Sequence, residues 1–457
     1  MPKVETIVAI ATPNGIGALG IVRLSGPDAW PVAEACFRAR KQGQNSRLSI
    51  RKSVFGDFLA EDGTLLDEVL MVRFQGPHSF TGEDSVEISF HGSVYILQTA
   101  LHALCQKGAR LATPGEFTLR SFLNGKMDLT QAEAVADVIA SENAAGHRLA
   151  FRQLKGAVSD RMRSLRQELI DTTALLELEL DFAEEDVEFA HRSQFFDLLD
   201  RSLFSLQQLI GTFHYGNALK NGIPIALVGA PNAGKSTLLN ALLQEDRALV
   251  SEVAGTTRDT IEEQFQAGGF SFRLVDTAGL RETVDAVEKM GIDRTLRSAE
   301  KAEIVLFLVD SSAWNANPST ARKLADSLAL RAPQAHHFWV YTQCDKAMPQ
   351  HPLEGALVLS AKTGEGLAVL SSALIAFMEN NPAAQSDIIL TNQRHVEAFQ
   401  HTVDALIQAK AGLKAGISGE LVAVDLRDAL RHLGSVTGQV VADDLLGSIF
   451  SRFCIGK

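Results

Sequence analysis

The sequence predicts a multidomain protein of the α/β and α classes, with an α+β N-terminal domain, a helical-bundle domain and an inserted domain built on a mainly parallel sheet. Three observations predict this fold class. At 457 residues the chain is longer than one ordinary domain. Residues 217–379 alternate strand-like and helix-like runs, which is typical of a parallel sheet. Helical periodicity flanks that stretch, so we expect one helical domain, residues 119–216 and 380–457, to carry the insertion.

The N-terminal domain is predicted to span residues 1–118. Short β-prone runs at Ile7–Ile10 and Ile21–Leu24 are separated by a turn rich in Pro and Gly, and Val86–Phe90 alternates as a half-buried strand does. The segment Gly15–Gly20 matches Gly-x-Gly-x-x-Gly, but a strand-like run follows where a dinucleotide-binding fold needs a helix. We therefore expect no NAD or FAD site on this chain.

Both parts of the helical domain are predicted from periodicity. Asp128 stands where a helix N-cap would, with Gln131 at the third helical position, as in a capping box. An acidic cluster at residues 184–188 is interpreted as solvated surface rather than a metal site. Apolar residues recur mostly every three or four positions and so share one helical face in each part: Leu154, Val158, Met162, Leu165, Leu169 and Leu176, then Val422, Leu426, Leu430 and Leu433.

Charge and cysteine usage exclude several classes of protein. A formal net charge of −12 argues against a surface that coats nucleic acid, so any RNA contact needs a local basic patch or a partner. The four cysteines, Cys36, Cys105, Cys344 and Cys454, form no Cys-x-x-Cys pair and predict neither a disulfide framework nor a zinc site. His91 has no second ligand nearby in the sequence, so a hydrogen-bonded histidine is expected rather than a metal ligand.

No apolar run approaches the roughly 20 residues of a membrane span. The first residues, Met1–Glu5, have no signal-peptide layout, so a cytoplasmic protein is expected. The last four residues are only superficially a prenylation box, because Gly456 is not aliphatic and a terminal lysine is not a usual choice.

A phosphate-binding loop is predicted at Gly229–Ser236, where Gly-x-x-x-x-Gly-Lys-Ser joins a buried-strand run to a helical run. Its glycines let backbone N–H groups surround phosphate oxygens, and the helix N-terminus adds a positive dipole end. Lys235 is expected at the β- and γ-phosphates, and the Ser236 hydroxyl on Mg²⁺. The nucleotide-binding residues predicted here are Asn232, Ala233, Gly234, Lys235, Ser236 and Thr237.

Companion motifs follow in the order expected of a Ras-like G domain. Thr257 is a second candidate Mg²⁺ ligand, Asp276 can hold the Mg²⁺ shell, and the Gly279 N–H can sense the γ-phosphate. The run Leu359–Lys362 stands where G proteins wrap the guanine. The residues assigned to GTP by these motifs are Thr256, Thr257, Asp276, Thr277, Ala278, Gly279, Thr342, Asp345, Ser360, Ala361 and Lys362. Ser251 and Val253, in the segment just before Thr256, are predicted at the same nucleotide site.

The base-reading motif departs from the usual Asn-Lys-x-Asp, because this chain has Thr342-Gln343-Cys344-Asp345. The Asp345 carboxylate can accept from guanine N1 and the exocyclic amine, a donor pair that adenine lacks. Thr342 can donate to a ring nitrogen, whereas Gln343 lacks the charge that usually packs along the base. The sequence predicts GTP binding, weaker than usual.

The hydrolytic machinery is less explicit. Leu280 stands where Ras-like enzymes place a water-orienting glutamine, and leucine cannot position water. Glu282, two residues further on, is either that catalytic group or a charged switch residue, and no arginine finger is identifiable. Oxygens of Asn232 and of the segment Ser251–Thr256 are candidates to hold a monovalent cation beside the phosphates.

At this point the whole chain resembles the tRNA-modification GTPases of the MnmE/TrmE family. The resemblance is carried from end to end by specific segments: residues 11–15, 23–27, 79–84, 114–117, 122–129 and 450–457. It implies an N-terminal domain that binds a tetrahydrofolate derivative, the 5,10-methylene or the 5-formyl form. It also implies a homodimer whose G domains meet when GTP is bound. It also implies an FAD-containing partner, a heterotetramer with it, and tRNA whose wobble uridine gains an aminomethyl-type group at C5.

The resemblance also assigns roles to residues. It implies potassium binding by Asn232, Ser251, Val253 and Thr256, and catalysis by Glu282. Folate contacts would be made by Arg23, Glu87, Lys126 and Lys457, with basic groups suited to glutamyl carboxylates and a carboxylate suited to the pterin. Cys454 is a candidate for a direct chemical role, which depends on its surroundings.

Two other functions fit the sequence less well. A ribosome-assembly GTPase would carry a basic RNA-binding appendage, and none is evident in this acidic chain. A stand-alone folate enzyme would not explain four nucleotide-binding motifs in order.

Overall fold

The computed structural model describes residues 5–40, 50–181, 192–247, 263–275, 297–440, 443–451 and 453–456, and the chain divides into two compact units. Unit 1 contains Met1–Ala136, Gln153–Val187 and Gly412–Lys457. Unit 2 contains Asp137–Arg152 and Glu188–Ala411.

Unit 1 is built on a seven-stranded sheet of order β3-β4-β5-β6-β2-β1-β7, antiparallel except for the parallel pair β1 and β7. The strands predicted at residues 7–10, 21–24 and 86–90 are all present, and the second one rules out the dinucleotide fold. The elements are β1 Ile7–Ile10, β2 Leu19–Ser25, α1 Ala29–Ala35, β3 Phe37–Ala39, β4 Val54–Leu59, β5 Leu65–Phe74, β6 Ser85–His91, α2 Val94–Gln106, β7 Arg110–Leu111, α3 Glu116–Leu123 and α4 Leu129–Ala140.

Alternation along β2 and β6 decides which side chains are available for binding. Val22, Leu24 and Ile88 are fully buried and belong to one apolar cluster with residues of helices α1 and α2. Arg23 and Glu87 lie between them in sequence, are directly paired across the two strands, and so project from the other face.

The helical part of unit 1 confirms the capping box. The Asp128 carboxylate accepts from the Gln131 N–H at 3.0 Å, and the Gln131 side-chain oxygen accepts from the Asp128 N–H at 3.0 Å. The predicted apolar stripe buries Val158 and Leu165 in helix α6, which packs against helix α14. These helices are α6 Ala157–Asp181, α14 Gly419–Thr437 and α15 Asp443–Phe450. Helix α5, Ala144–Leu154, precedes α6 and lies almost wholly in unit 2.

Unit 2 is built on a six-stranded sheet of order β13-β12-β11-β8-β10-β9, parallel except for the antiparallel pair β9 and β10. Its remaining elements are α7 Arg192–Gly211, α8 Phe213–Asn221, β8 Ile223–Gly229, α9 Lys235–Arg247, β9 Gln264–Ala267, β10 Phe270–Leu274, β11 Ile304–Asp310, α10 Ser311–Ala316, α11 Pro318–Arg331, β12 His336–Thr342, β13 Leu357–Val358, α12 Leu367–Glu379 and α13 Gln393–Lys414.

Strand β8, in the middle of this sheet, is covered by apolar side chains on both faces. Ile225 and Leu227 of β8 belong to one apolar cluster, whereas Ala226 and Val228 belong to another. Because successive side chains point to opposite faces, both faces of the strand are covered, as expected for continuous apolar runs in a parallel sheet. The loop after β8 is therefore anchored on a strand that is buried on both faces.

Candidate functional site

The phosphate loop lies at the carboxyl end of β8, with β10 on one side of this strand and β11 on the other. Such a reversal of strand order is where open α/β sheets bind ligands. Helix α9 begins at Lys235, so its free N–H groups and positive dipole end adjoin the loop. Ser236 and Thr237 are exposed in the first turn of this helix, as a contact to a metal or phosphate requires.

The backbone of the loop shows why glycine is required at its two ends. A Cβ on Gly229 would lie 2.4 Å from the carbonyl oxygen of Leu308 on the adjacent strand. Gly234 has a φ of +85°, and Asn232, which is not glycine, has a φ of +64°. Positive φ values in a loop between a strand and a helix are typical of backbone turns that bind phosphate.

The ammonium group of Lys235 lies at this loop. Its Nζ donates to the carbonyl oxygens of Gly229 and Ala230, both at 2.9 Å. Burial lowers the pKa of this amine. A neighbouring phosphate anion would favour its protonated form, so the position suits the β- and γ-phosphate contact that the sequence predicts.

The base-reading turn follows β12 and is joined to the phosphate loop. The Thr342 hydroxyl, fully buried, lies 2.8 Å from the carbonyl oxygen of Ala233, so it has an acceptor other than the predicted ring nitrogen. The Gln343 amide Nε2 donates to the carbonyl oxygen of Asn232 at 2.8 Å. Two consecutive side chains thus contact two consecutive carbonyls of the loop.

Asp345 is exposed, and its carboxylate is held by a hydrogen bond. Its Oδ1 accepts from the buried Ser360 hydroxyl at 2.6 Å, which brings the segment Leu359–Lys362 to the turn. That hydrogen bond lowers the pKa of the Asp345 carboxyl, and the charges of Lys362 and Lys346 lower it further. The carboxylate is therefore ionised at neutral pH and can accept two N–H groups from guanine.

Several predicted site residues lie outside the part of the chain that the structure describes. They are Ser251, Val253, Thr256, Thr257, Asp276, Thr277, Ala278, Gly279, Glu282 and Lys457, as well as the acidic cluster at 184–188. Their roles stay predictions. Of the predicted potassium ligands only Asn232 is described.

A second candidate site lies on the open face of the unit 1 sheet. The Arg23 guanidinium contacts Glu87 through Nε at 2.9 Å and through its terminal amine at 2.8 Å. The same guanidinium lies over the rings of Phe80 and Phe117, 5.6 and 5.9 Å from their centroids. Phe117 is fully buried, whereas Phe80 is exposed. The carboxylate, the guanidinium and the Phe80 ring together suit a flat heterocycle that carries N–H donors.

The C-terminal segment docks beside this pair. Arg23 donates to the carbonyl oxygen of Gly456 at 3.5 Å, and Gly456 is buried with a φ of +95°. A Cβ on Gly456 would lie 2.2 Å from the carbonyl oxygen of Ile10. Cys454 is exposed, and its carbonyl oxygen accepts from the Gly115 N–H at 3.4 Å. The structure thus brings Arg23, Glu87 and this segment together.

Lys126 lies on the loop between α3 and α4. It is exposed, donates to the carbonyl oxygen of Pro77 at 2.9 Å, and its side chain faces Gly82. It therefore lies against the loop that carries Phe80. Its predicted folate role stays a prediction.

Sequence reasoning missed a polar network behind this face. Arg120 bridges Glu83 at 3.0 Å and Glu116 at 2.9 Å, and Arg110 contacts both oxygens of Glu116, at 2.7 and 3.1 Å. Burial opposes ionisation of Glu116, but hydrogen bonds from Arg110, the Thr113 N–H and Arg120 lower its pKa to about 2. The i,i+4 spacing of Glu116 and Arg120 was the one local signal for this network.

Other expectations about ligands and location can be compared with the structure. His91 is hydrogen-bonded, as predicted, with Nδ1 2.7 Å from an Asp67 oxygen. Within the described ranges, no group of three His, Cys, Asp or Glu residues is placed to hold a metal ion. The four cysteines are free. None of the described helices is long and apolar enough to cross a membrane.

A phosphate loop on the central strand of a parallel sheet, joined to an Asp345 base site of the G-protein type, defines a P-loop GTPase domain within a larger chain. Two family models match the sequence, the TrmE GTP-binding protein N-terminus over residues 6–126 and the MnmE helical domain over residues 129–454. The chain belongs to the MnmE family of tRNA modification GTPases.

Individual relatives agree over the full length. The tRNA modification GTPase MnmE of Christiangramia forsetii is 45% identical over 99% of both chains. That of Flavobacterium johnsoniae is 44% identical, again over 99% of both chains. Among solved structures, the G domain of the T. maritima FeoB iron transporter is 24% identical, with a TM-score of 0.24, and spans 34% of this chain and 98% of that one. The family assignment rests on the sequence relatives.

Proposed function

We propose that this chain is a potassium-activated GTPase that drives, with an FAD-containing partner, addition of an aminomethyl-type group to C5 of the wobble uridine, position 34, of tRNA. The observation that carries the proposal is the link between base and phosphate sites in a member of this family. Thr342 and Gln343 donate to the carbonyls of Ala233 and Asn232, so guanine recognition is built onto the phosphate loop.

Mg²⁺ and K⁺ complete the proposed nucleotide site. Ser236 is exposed at the start of α9 and suits the Mg²⁺ contact, with Thr257 as its partner ligand. Asn232 is exposed in the phosphate loop, and its side-chain oxygen would be one ligand of the monovalent cation. Ser251, Val253 and Thr256 would supply the other oxygens, and Glu282 would orient the attacking water.

The one-carbon site is proposed at Arg23 and Glu87. Glu87 would accept from the pterin amino and ring N–H groups, while the exposed ring of Phe80 would provide an apolar wall for a flat ring. Lys126 and Lys457 would pair with the glutamyl carboxylates. A tetrahydrofolate derivative in its 5,10-methylene or 5-formyl form would supply the carbon, with Cys454 as a candidate reactive thiol near the docked segment.

The tRNA contact is proposed on helix α5 of unit 2. His147, Arg148, Phe151 and Arg152 follow the one-face spacing of a helix and are exposed. The rings of His147 and Phe151 stack at 6.0 Å between centroids with an interplanar angle of 11°. Two arginines beside exposed rings suit phosphates and an unpaired base, and they stand out in a chain of net charge −12.

The assembly proposed is a cytoplasmic homodimer that forms a heterotetramer with the flavoprotein partner. The domains proposed are residues 1–118 for folate and dimerisation, 217–379 for the G domain, and 119–216 with 380–457 for the helical domain. These boundaries follow the motifs in the sequence.

Two measurements test the proposed function. GTP hydrolysis by the full-length protein should be several-fold faster in KCl than in NaCl at equal ionic strength, and equal rates would refute potassium activation. Nucleoside analysis of tRNA from cells lacking the protein should show loss of the C5-modified wobble uridine. An unchanged nucleoside profile would refute the role in tRNA modification.

A further inference from the structure

The base-reading turn lacks the lysine that G proteins usually carry at the position of Gln343. In its place, Gln343 takes a φ of +57° and directs its amide Nε2 to the carbonyl oxygen of Asn232 at 2.8 Å. The neutral side chain therefore makes the contact to the phosphate loop, but it supplies no positive charge beside the base.

A cation reaches the same place from three residues further along. The Gln343 carbonyl oxygen accepts from the Lys346 N–H at 2.9 Å, which closes a tight turn and brings the two side chains together. The Lys346 Nζ then donates to the Gln343 Oε1 at 2.6 Å. The carboxamide is engaged at both ends, as donor to the loop and as acceptor from an ammonium group.

The charge of Lys346 also acts on the base-reading carboxylate. The pKa of Asp345 is lowered first by the Ser360 hydroxyl, and also by the positive charges of Lys362 and Lys346. Lys346 lies next in the chain to Asp345, and both are exposed on the turn. Its ammonium is therefore positioned at the site where guanine would be read.

We propose that Gln343 and Lys346 together replace the missing lysine, with Gln343 as a positioning residue that ties the turn to the phosphate loop and holds the Lys346 ammonium beside the base. This proposal rests on the proposed function, because it presumes a guanine nucleotide in the site. An amide suits the role because it can donate at one end and accept at the other. A lysine at position 343 would perform both tasks alone and would make Lys346 dispensable.

The test is a mutant cycle in the full-length protein, read as the affinity for a fluorescent GDP analogue. Gln343→Met removes both ends of the relay and should weaken binding about tenfold, from loss of two hydrogen bonds of which one is charged. Lys346→Met should weaken it about threefold to tenfold. In a Gln343→Lys background, the same Lys346→Met change should cause no loss, because the charge then comes from position 343.

Controls separate this relay from folding and from the function itself. Lys323→Met, on the exposed surface of α11, should leave the affinity unchanged, and thermal unfolding of every variant shows whether the fold is kept. Equal losses from Lys346→Met in both backgrounds, or no loss from Gln343→Met, would overturn the relay. Equal affinity of the wild-type protein for GDP and ADP analogues would instead overturn the guanine-specific function, whatever the variants show.

Discussion

The hydroxyl of Thr342 lies 2.8 Å from the carbonyl oxygen of Ala233, a residue 109 positions earlier in the chain. Thr342 is 2% exposed, so this contact is protected from water. It joins the end of strand β12 to the phosphate loop, so a change at one of the two proposed recognition sites would act on the other.

We expect Thr342→Val, which keeps the shape and removes the hydroxyl, to weaken GDP binding about fivefold to tenfold. The physical reason is a buried carbonyl left without its donor, a loss of about 1–2 kcal/mol. Fluorescence titration with a GDP analogue measures the effect. Thr342→Ser keeps the hydroxyl and is the matched control, so equal losses in the two variants would show that the hydrogen bond is not the cause.

Asp345→Asn should change the base preference of the nucleotide site from guanine to xanthine. The carboxylate accepts two N–H groups of guanine, whereas an amide can donate to the carbonyl that xanthine carries in place of the exocyclic amine. We expect about 100-fold weaker GTP binding, from two charge-assisted hydrogen bonds, and a gain for xanthosine triphosphate. Competition binding measures both, with Asp326→Asn on the surface of α11 as control. Loss of both nucleotides alike would contradict base reading by Asp345.

The Glu116 network predicts a pH dependence of stability. The pKa of Glu116 is lowered from 4.5 to about 2 in the folded protein, so its contribution is complete above pH 4.5 and is lost as the pH falls towards 2. We expect the ionised Glu116 carboxylate to contribute about 1–2 kcal/mol to the free energy of unfolding, a value reduced by solvent screening of the half-exposed Arg110. Denaturant unfolding of Glu116→Gln and wild type should differ most at pH 7 and converge only as the pH approaches 2. A constant difference would exclude the ionised carboxylate as its source.

Glu87→Gln should weaken binding of 5-formyltetrahydrofolate about tenfold or more, because a charged acceptor is replaced by a neutral amide facing pterin N–H donors. Isothermal titration of the full-length protein measures this. Glu68→Gln, on the neighbouring strand β5, removes a similar charge and should bind as wild type does. Normal binding by the Glu87→Gln variant would show that the folate site lies elsewhere.

The proposed RNA face gives a salt-dependent prediction. Arg148→Glu with Arg152→Glu should lower tRNA affinity at low salt and reduce the slope of log affinity against log salt by about 2, because roughly one counterion is released per phosphate contact. Filter binding over a salt series measures the slope. The control variant Lys301→Glu with Lys323→Glu makes the same charge change elsewhere in unit 2. An equal change of slope in that variant would show that net charge, and not this face, causes the effect.

Local features of the sequence predicted much of this site. The phosphate loop and its glycines, the capping box at Asp128 and the buried run of β8 all follow from residues within a few positions of each other. The partners of Thr342 and Gln343 could not be predicted, since their acceptors are fixed by the sheet and lie more than a hundred residues away. Gln343 was interpreted only as a missing charge, because the role of Lys346 depends on how the turn closes.

The burial of Gly456 against strand β1 has a practical consequence. A methyl group there would lie 2.2 Å from the carbonyl oxygen of Ile10, so even alanine would dislodge the segment that carries Cys454. Gly456→Ala therefore displaces the C-terminal segment from strand β1 by adding one methyl group, and it changes no charge. Gly456 lies in unit 1 and the phosphate loop lies in unit 2. A change in the GTP turnover of the Gly456→Ala variant would therefore measure the coupling between the two units directly.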